Sequence, residues 1–487
     1  MSSSVSRDRV RSCRVETDGV WQNCRRSGSV VLSAVWLMVL TMASNALSAP
    51  PNFIFILADD CSYRDLELYG GPAKTPNIKR LAEQGLTFRR CYQAAPMCSP
   101  TRHALYTGLY PVRSGAYPNH AKAYENVQSI PHYLSRGGYR VGLAGKTHIA
   151  PQTVFPFEYL KEFADPPDQD VAVVDGWRYQ KVLQFMRESA EKSQPFCLFL
   201  CSNEPHAPYS KGDPRPYENA ELSPQQFDFQ RDEYARYLGE ITYFDGQVGE
   251  IAGMVDQLGL KQNTCFIVAT EQGSGFPFGK WTCYEIGVAS GLVVSWPGVV
   301  QNGGETDAIV EYTDIVPTFL DAAGIAIPES LDGSSFLGLL QGKTTSHSKY
   351  AFSIQTTRGV NGYRDPYGIR TVVGKQYRYI RNLFPENEFS IPVSRQVFEA
   401  TRELDEQSRD RAERYMQRPA EELYDVMADP YCQVNLADRL ELADKKRQLS
   451  AVLDRWMRSQ GDTGRQVEID AHGRQADWYK PRRQGRD

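Results

Sequence analysis

The amino-acid sequence predicts an α/β protein: a mostly parallel sheet sandwiched by helices, followed by a smaller C-terminal α+β subdomain that carries an antiparallel sheet. Three observations lead there. From residue 50 to about 345, short apolar runs alternate with segments of helical period, as strands joined by crossover helices require. Beyond 345 the runs become shorter, more polar and spaced like hairpins. The chain has 487 residues, which suits one large or two ordinary domains. The expected division is an export signal over 1–48, a catalytic domain over 49–345 and a C-terminal subdomain over 346–487.

The first predicted strand is NFIFILA at 52–58. A helix follows in TPNIKRLAEQG, where Thr75 caps, Pro76 opens the first turn and Gly85 stops the element. Further strands are predicted for RVGLAG (140–145), FCLFLCS (196–202), CFIVAT (265–270) and GLVVSW (291–296). Between FCLFLCS and CFIVAT lies YFDGQVGEIAGMVDQLGL, whose Val248, Ile251, Val255 and Leu258 share one helical face and whose end falls near Gly259. In the C-terminal part, YAFSIQ, GIRTVVG and QYRYIRNL are predicted strands, and ADKKRQLSAVLDRWMRSQG is a charged helix. The last residues, KPRRQGRD, form a solvated tail.

A formal net charge of -4 argues against a protein that holds nucleic acid on a basic surface, so any anion must be met by a local cluster of cations. At the N-terminus, Arg7, Arg9, Arg11, Arg14, Arg25 and Arg26 precede the apolar run VVLSAVWLMVLTMA and the small residues SNALSAPP. This is the layout of a secretory signal cleaved near Ser48 or Ala49, and the run is shorter than the ~20 residues of a membrane span. Export to a periplasmic, secreted or lysosome-like compartment is expected, without a stable membrane span after cleavage; a signal anchor is the alternative. Ten cysteines in this length make no disulfide scaffold. None shows Cys-X-X-Cys spacing, and Cys197 and Cys201 in CLFLC are expected to be buried strand residues.

The functional signal lies in the residues just beyond each strand. NFIFILA runs into Asp59-Asp60, RVGLAG into Lys146-Thr147-His148, FCLFLCS into Asn203-Glu204-Pro205-His206, and CFIVAT into Glu271-Gln272-Gly273. In a parallel sheet the carboxyl ends share one edge, where ligands bind, so all four clusters should face one crevice. Asp59, Asp60, Glu271 and the amide oxygen of Gln272 form an all-oxygen set suited to a hard divalent cation, calcium more than zinc. Lys146, Lys280, Arg102, His148 and His206 suit a tetrahedral anion. Metal with cations points to hydrolysis of a sulfate or phosphate ester.

These residues resemble a known family. In order from about 50 to 437, PNFIFILADD, the Cys-X-Pro-X-Arg signature CSPTR, GKTH, EPHAPY, the lysine of FGKW and ELYDVMADPYCQVNLAD are similar to the type I sulfatases of the alkaline-phosphatase superfamily. GKTHIAPQTVFPFEY and SGFPFGKW are most similar to the N-sulfoglucosamine sulfohydrolase branch. The resemblance implies an alkaline-phosphatase-like fold and a sulfated, glycosaminoglycan-type saccharide as substrate. It also implies that a formylglycine-generating enzyme converts Cys98 to formylglycine. One hydroxyl of the aldehyde hydrate would attack sulfur, and the other, once deprotonated, would expel sulfate. By position, Asp59, Asp60, Glu271, Gln272 and the modified Cys98 would hold one calcium ion. Arg102 and Lys146 would fix the hydrate, His148 would act as base, and His206 and Lys280 would bind sulfate oxygens and protonate the leaving group. Glu271-Gln272 departs from the family's Asp-Asn or Asp-His by one methylene in each arm.

Two alternatives stand beside this reading: a phosphodiesterase or phosphonate hydrolase on the same fold, and an inactive carbohydrate-binding relative. His120 and His132, outside the matched motifs, are expected to be ordinary loop or helix histidines. Arg358, Arg364 and Arg370 are placed to line a pocket rim, where they would read a uronate carboxylate; at least two of the three are expected to be surface arginines instead.

Overall fold

All seven residues of β1 (Asn52–Ala58) are buried, because the strand lies between two helical layers. Side chains alternate across a strand, so Phe53, Phe55 and Leu57 enter one core while Ile54, Ile56 and Ala58 enter the other. A strand covered on both faces must be apolar throughout, and NFIFILA meets that demand. The computed structural model describes residues 49–163, 178–360, 362–401 and 404–477; the expected export signal and basic tail lie outside them.

Among the described residues the main sheet has nine strands. They are β1, β2 (Leu86–Tyr92), β3 (Arg140–Gly145), β4 (Glu158–Leu160), β5 (Phe196–Cys201), β6 (Thr264–Thr270), β7 (Ala289–Ser295), β8 (Gly304–Thr306) and β9 (Val310–Glu311). The order is β4-β3-β5-β1-β6-β7-β2-β8, with β9 also on β2. The run from β4 to β6 is parallel. β7 is antiparallel to both its neighbours.

The sequence reading contains no strand at β2. Its period-2 pattern is broken by Arg89-Arg90, and its register shifts between Phe88 and Cys91. Arg89 pairs with Glu305 on β8, and Arg90 donates to the carbonyls of Gly374 and Lys375, so both charges are satisfied by partners remote in sequence.

The helices that bear on the site are α1 (Pro76–Glu83), α2 (Cys98–Thr107), α3 (Arg231–Gln257) and α4 (Ala443–Gln460). The Thr75 side chain makes no capping bond. The cap comes from α3, whose Asp245 carboxylate accepts from the backbone N–H groups of Asn77 and Ile78 at 3.1 and 2.8 Å. α3 starts twelve residues before the predicted segment and stops at Gly259 in the left-handed region. Val248, Ile251 and Val255 on its predicted face are buried.

A second, antiparallel sheet follows the chain order β10 (Ala351–Gln355), β11 (Ile369–Val373), β12 (Tyr377–Asn382) and β13 (Glu421–Asp425). α4 covers it, with Leu449, Leu453 and Trp456 in one cluster with Ile354, Val372 and Tyr379. Arg370 on β11 corrects the sequence reading: it is neither a surface nor a rim arginine. Its guanidinium is fully buried against the Asp462 carboxylate, which itself also accepts from Gly464 N–H.

That pair generates a stability prediction. Asp462→Ala leaves a buried, uncompensated guanidinium and should cost about 3–5 kcal/mol in denaturant unfolding. A loss below about 1 kcal/mol would show that water reaches Arg370.

Candidate active site at the carboxyl ends of the strands

Backbone hydrogen bonds carry the register past the last strand residues. Glu271 N–H donates to Ala58 O, Ser202 N–H to Leu57 O, Lys146 N–H to Cys201 O and Asp59 N–H to Glu204 O, each at 2.9 Å. Residues after β1, β3, β5 and β6 therefore stand side by side, as the sequence predicts. Cys98 is the first residue of α2 and meets them from above the edge. Its Sγ lies 3.0 Å from Gln272 Nε2, 3.8 Å from Lys146 Nζ and 3.9 Å from Asp60 Oδ1.

Each carboxyl group has a cation. Lys146 Nζ pairs with Asp59, and Lys280 Nζ lies 2.6 Å from Asp60 Oδ2. Arg102 reaches Glu271 with Nε at 2.8 Å and Nη2 at 2.9 Å, while its Nη1 donates to Lys146 O at 2.7 Å. Asp59, Arg102 and Glu271 are fully buried. His206 stands at the open side, 37% exposed, with Nε2 3.4 Å from Asp60 Oδ2. Its Nδ1–H donates to Ala207 O at 2.7 Å. Lys280 also sits 4.9 Å from the centre of the Trp281 ring, whose backbone N–H bonds to Pro96 O and ties this loop to the turn before Cys98.

The environment sets proton affinities unevenly. Burial works against ionisation of Asp59, but Lys146, a hydrogen bond to Glu271, His206 and Arg102 together hold it well below the usual carboxylate range. Burial pushes Glu271 the other way, against the pull of Arg102. Burial, helped by Asp59 and opposed by Lys146 and Lys280, pushes the Cys98 thiol up to about 12. As an unmodified side chain it is a protonated thiol and a weak nucleophile. Lys280 is raised despite burial, chiefly by Asp60.

One atom each from Asp59, Cys98 and Glu271 lie within 4.8 Å of one another, close enough to share a metal ion. Asp59 Oδ1 and Gln272 Oε1 are buried without a hydrogen bond, and Glu271 Oε1 meets Arg102 as an off-axis ion pair. Buried oxygens without a donor are costly unless something positive faces them. The atoms of Asp59, Cys98 and Glu271 therefore fit a hard divalent cation despite the longer Glu271 arm, whereas Gln272 turns its Nε2 toward Cys98 and Asp60 and would have to turn its amide over to offer Oε1.

All ten predicted site residues come together. His148 follows β3 at a left-handed φ of 50° and is fully buried, with burial and then Lys146 depressing its proton affinity well below the ordinary histidine value. Its Nε2 lies 2.7 Å from His120 Nδ1. His120 thus corrects the sequence reading: it belongs to the site. No motif marks it, because only the folded chain brings it to His148. His132 is as expected, bonded to Ser129 at the start of a short helix.

Known proteins resemble this chain in sequence and in fold. The sulfatase family model matches residues 51–325, and a second, described as N-sulphoglucosamine sulphohydrolase, C-terminal, matches 274–392. An ulvan-active sulfatase of Formosa agariphila is 32% identical over 86% of this chain and 82% of its own. Human N-sulphoglucosamine sulphohydrolase is 25% identical over 84% of this chain and 90% of its own. Among solved structures, BT4656 in complex with its substrate D-glucosamine-2-N,6-O-disulfate superposes with a TM-score of 0.62 at 18% identity, covering 85% of this chain and 99% of that one. BT1596, a 2-O GAG sulfatase, gives 0.65 at 20% identity over 86% and 94%.

The burial gradient across the site is testable. Arg102→Met strands the buried Glu271 carboxyl group and should cost about 3–5 kcal/mol of unfolding free energy in chelator. His206→Ala, at a partly exposed position, should cost less than about 1 kcal/mol. Equal losses would mean that the two positions are equally solvated.

Proposed function

Because the chain belongs to the sulfatase family and is therefore a sulfuric ester hydrolase, we propose that it desulfates a glycosaminoglycan-type saccharide, N-sulfoglucosamine included, using formylglycine made from Cys98 and one calcium ion. The observation that supports this most directly is the setting of Cys98: a thiol too weakly acidic for its own chemistry, at a helix start, ringed by Lys146, Gln272 and Asp60. An aldehyde at that carbon would place its oxygens where Sγ lies. Asp59, Asp60, Glu271 and Gln272 would hold the cation with it.

When both are present, the aldehyde hydrate would supply the attacking hydroxyl and the cation, held by Asp59, Asp60, Glu271 and Gln272, would supply Lewis-acid polarisation. The chain's own residues do the rest. Lys146 faces the oxygens that replace Sγ and favours their ionised form. Arg102 keeps Glu271 and Asp59 oriented from beneath. Lys280 and His206 flank Asp60 on the open side, where sulfate oxygens arrive. With Nδ1–H committed to Ala207 O, His206 presents Nε2 to the leaving group. His148, buried and neutral, takes the proton whose removal lets sulfate depart. Export and maturation by a formylglycine-generating enzyme complete the reading, and among the described residues no helix is long and apolar enough to cross a membrane.

Two experiments test it. Protein co-expressed with a formylglycine-generating enzyme should carry a mass deficit of roughly 18 Da at Cys98, the thiol-to-aldehyde difference. Cys98→Ala should then lose at least about 10⁴-fold in kcat on N- and O-sulfated glucosamines while unfolding at an unchanged temperature. Retained turnover in that variant would sink the scheme. Separately, calorimetry should show calcium binding tightened about 5- to 150-fold by inorganic sulfate, because each supplies the charge that the other lacks. Independent binding would mean that the ions do not share this site.

A further inference from the structure

His120 and His148 come from different loops and meet ring to ring, with centroids 4.7 Å apart and one nitrogen of each at hydrogen-bond distance. Both backbones are left-handed, φ 57° and 50°, a conformation rare for any residue with a Cβ and retained only where surroundings enforce it. The surroundings do so from two directions. Ala121 N–H bonds to the Ser99 hydroxyl beside Cys98, at 3.2 Å. From the C-terminal region, Arg358 O accepts from Asn119 N–H at 3.1 Å and His120 O accepts from Ala476 N–H at 2.8 Å. Gly359 approaches Asn119 so closely that a Cβ there would lie 2.2 Å from its carbonyl oxygen.

We propose that His120 is a positioning residue for the sulfatase reaction: its ring engages Nε2 of His148 and fixes the plane of that imidazole, and with it the direction in which Nδ1 exchanges a proton. The inference rests on the sulfatase reading and adds a residue that the family signature does not contain. Two neutral imidazoles at 2.7 Å hold one hydrogen between them. Both are neutral here: burial, with Lys146 and Lys280, pushes His120 down to about 4, and His148 is depressed by burial and Lys146. When Nδ1 of His148 takes a proton, Nε2–H donates to His120 Nδ1, and the new imidazolium is held by a neutral acceptor. The hydrogen of His120 is then on its Nε2, and the Asn119 amide, whose Nδ2 is assigned 3.3 Å away and whose buried Oδ1 makes no hydrogen bond, turns over so that the oxygen accepts it. The arrangement has the logic of any imidazole whose second nitrogen is engaged by a partner that sets ring orientation.

The test uses two variants that tolerate a positive φ. His120→Gly removes the ring without backbone strain. His120→Asn places an amide atom where Nδ1 was and accepts the left-handed conformation. In the matured enzyme, His120→Gly should lower kcat by roughly 10- to 100-fold with KM within about twofold, as for removal of partners that orient imidazoles. His120→Asn should recover at least tenfold of that loss, and both should unfold within a few degrees of the parent. Nitrogen-15 spectra of histidine-labelled protein supply a readout independent of turnover: the His148 Nε2 resonance should carry a strongly hydrogen-bonded proton signature that moves in His120→Gly. An unchanged kcat, a KM-only effect, or a loss that His120→Asn does not repair would overturn the proposal. So would a His148 signal indifferent to His120. If the parent hydrolyses no sulfated sugar yet the spectra show the coupled rings, the sulfatase reading fails while the ring pairing stands.

Discussion

Asp59, Asp60 and Glu271 can leave water together because each has a cation of its own, Lys146, Lys280 and Arg102 in turn. Desolvating an ion costs several kcal/mol even after relaxation, and removing one member of such a set leaves its partner uncompensated. The rest of the architecture answers to that pairing. β1 and β6 must hold register through Ala58 and Thr270 so that Asp59 and Glu271 emerge side by side. α2 must start at Cys98 so that Arg102, one turn later, reaches beneath them. The turn at Gly279 to Trp281 must return to the edge so that Lys280 meets Asp60.

The same balance bears on what the proposed site would select. Three carboxyl groups against three fixed cations leave room for a pair of opposite charges, not for one alone. A divalent cation added to the set creates a positive surplus that an arriving sulfate group reduces. Sulfate carries one negative charge as an ester and two once released, so charge grows along the reaction in the direction the site favours. An isolated cationic pocket would bind anions indiscriminately. This one sets a carboxyl group against each cation.

The sequence shows the chemistry more clearly than the scaffold. The parallel strands were legible because burial on both faces makes them continuous apolar runs, and the residues just beyond them were legible because a parallel sheet has one ligand-binding edge. β2 was hidden by Arg89 and Arg90, whose partners lie at Glu305 and at Gly374–Lys375, far along the chain. The cap of α1 was misplaced for the same reason: Asp245 outcompetes the local Thr75. Arg370 looked like a surface residue because the carboxylate that permits its burial, Asp462, is remote. Each miss is a polar side chain whose partner is distant in sequence. His120 is the functional instance of that rule.

The C-terminal region therefore acts on the site through backbone as well as side chains. The 358–359 turn and the segment at Ala476 clamp Asn119 and His120 by main-chain hydrogen bonds, which constrain position regardless of the side chains displayed. The side chain of that turn, Arg358, packs over the Tyr363 ring at 5.1 Å. A loop whose backbone supports the catalytic edge can vary its side chains without disturbing the chemistry beneath it. A choice between one sulfated sugar and another would then rest on the residues displayed around this edge and not on the buried charges beneath it.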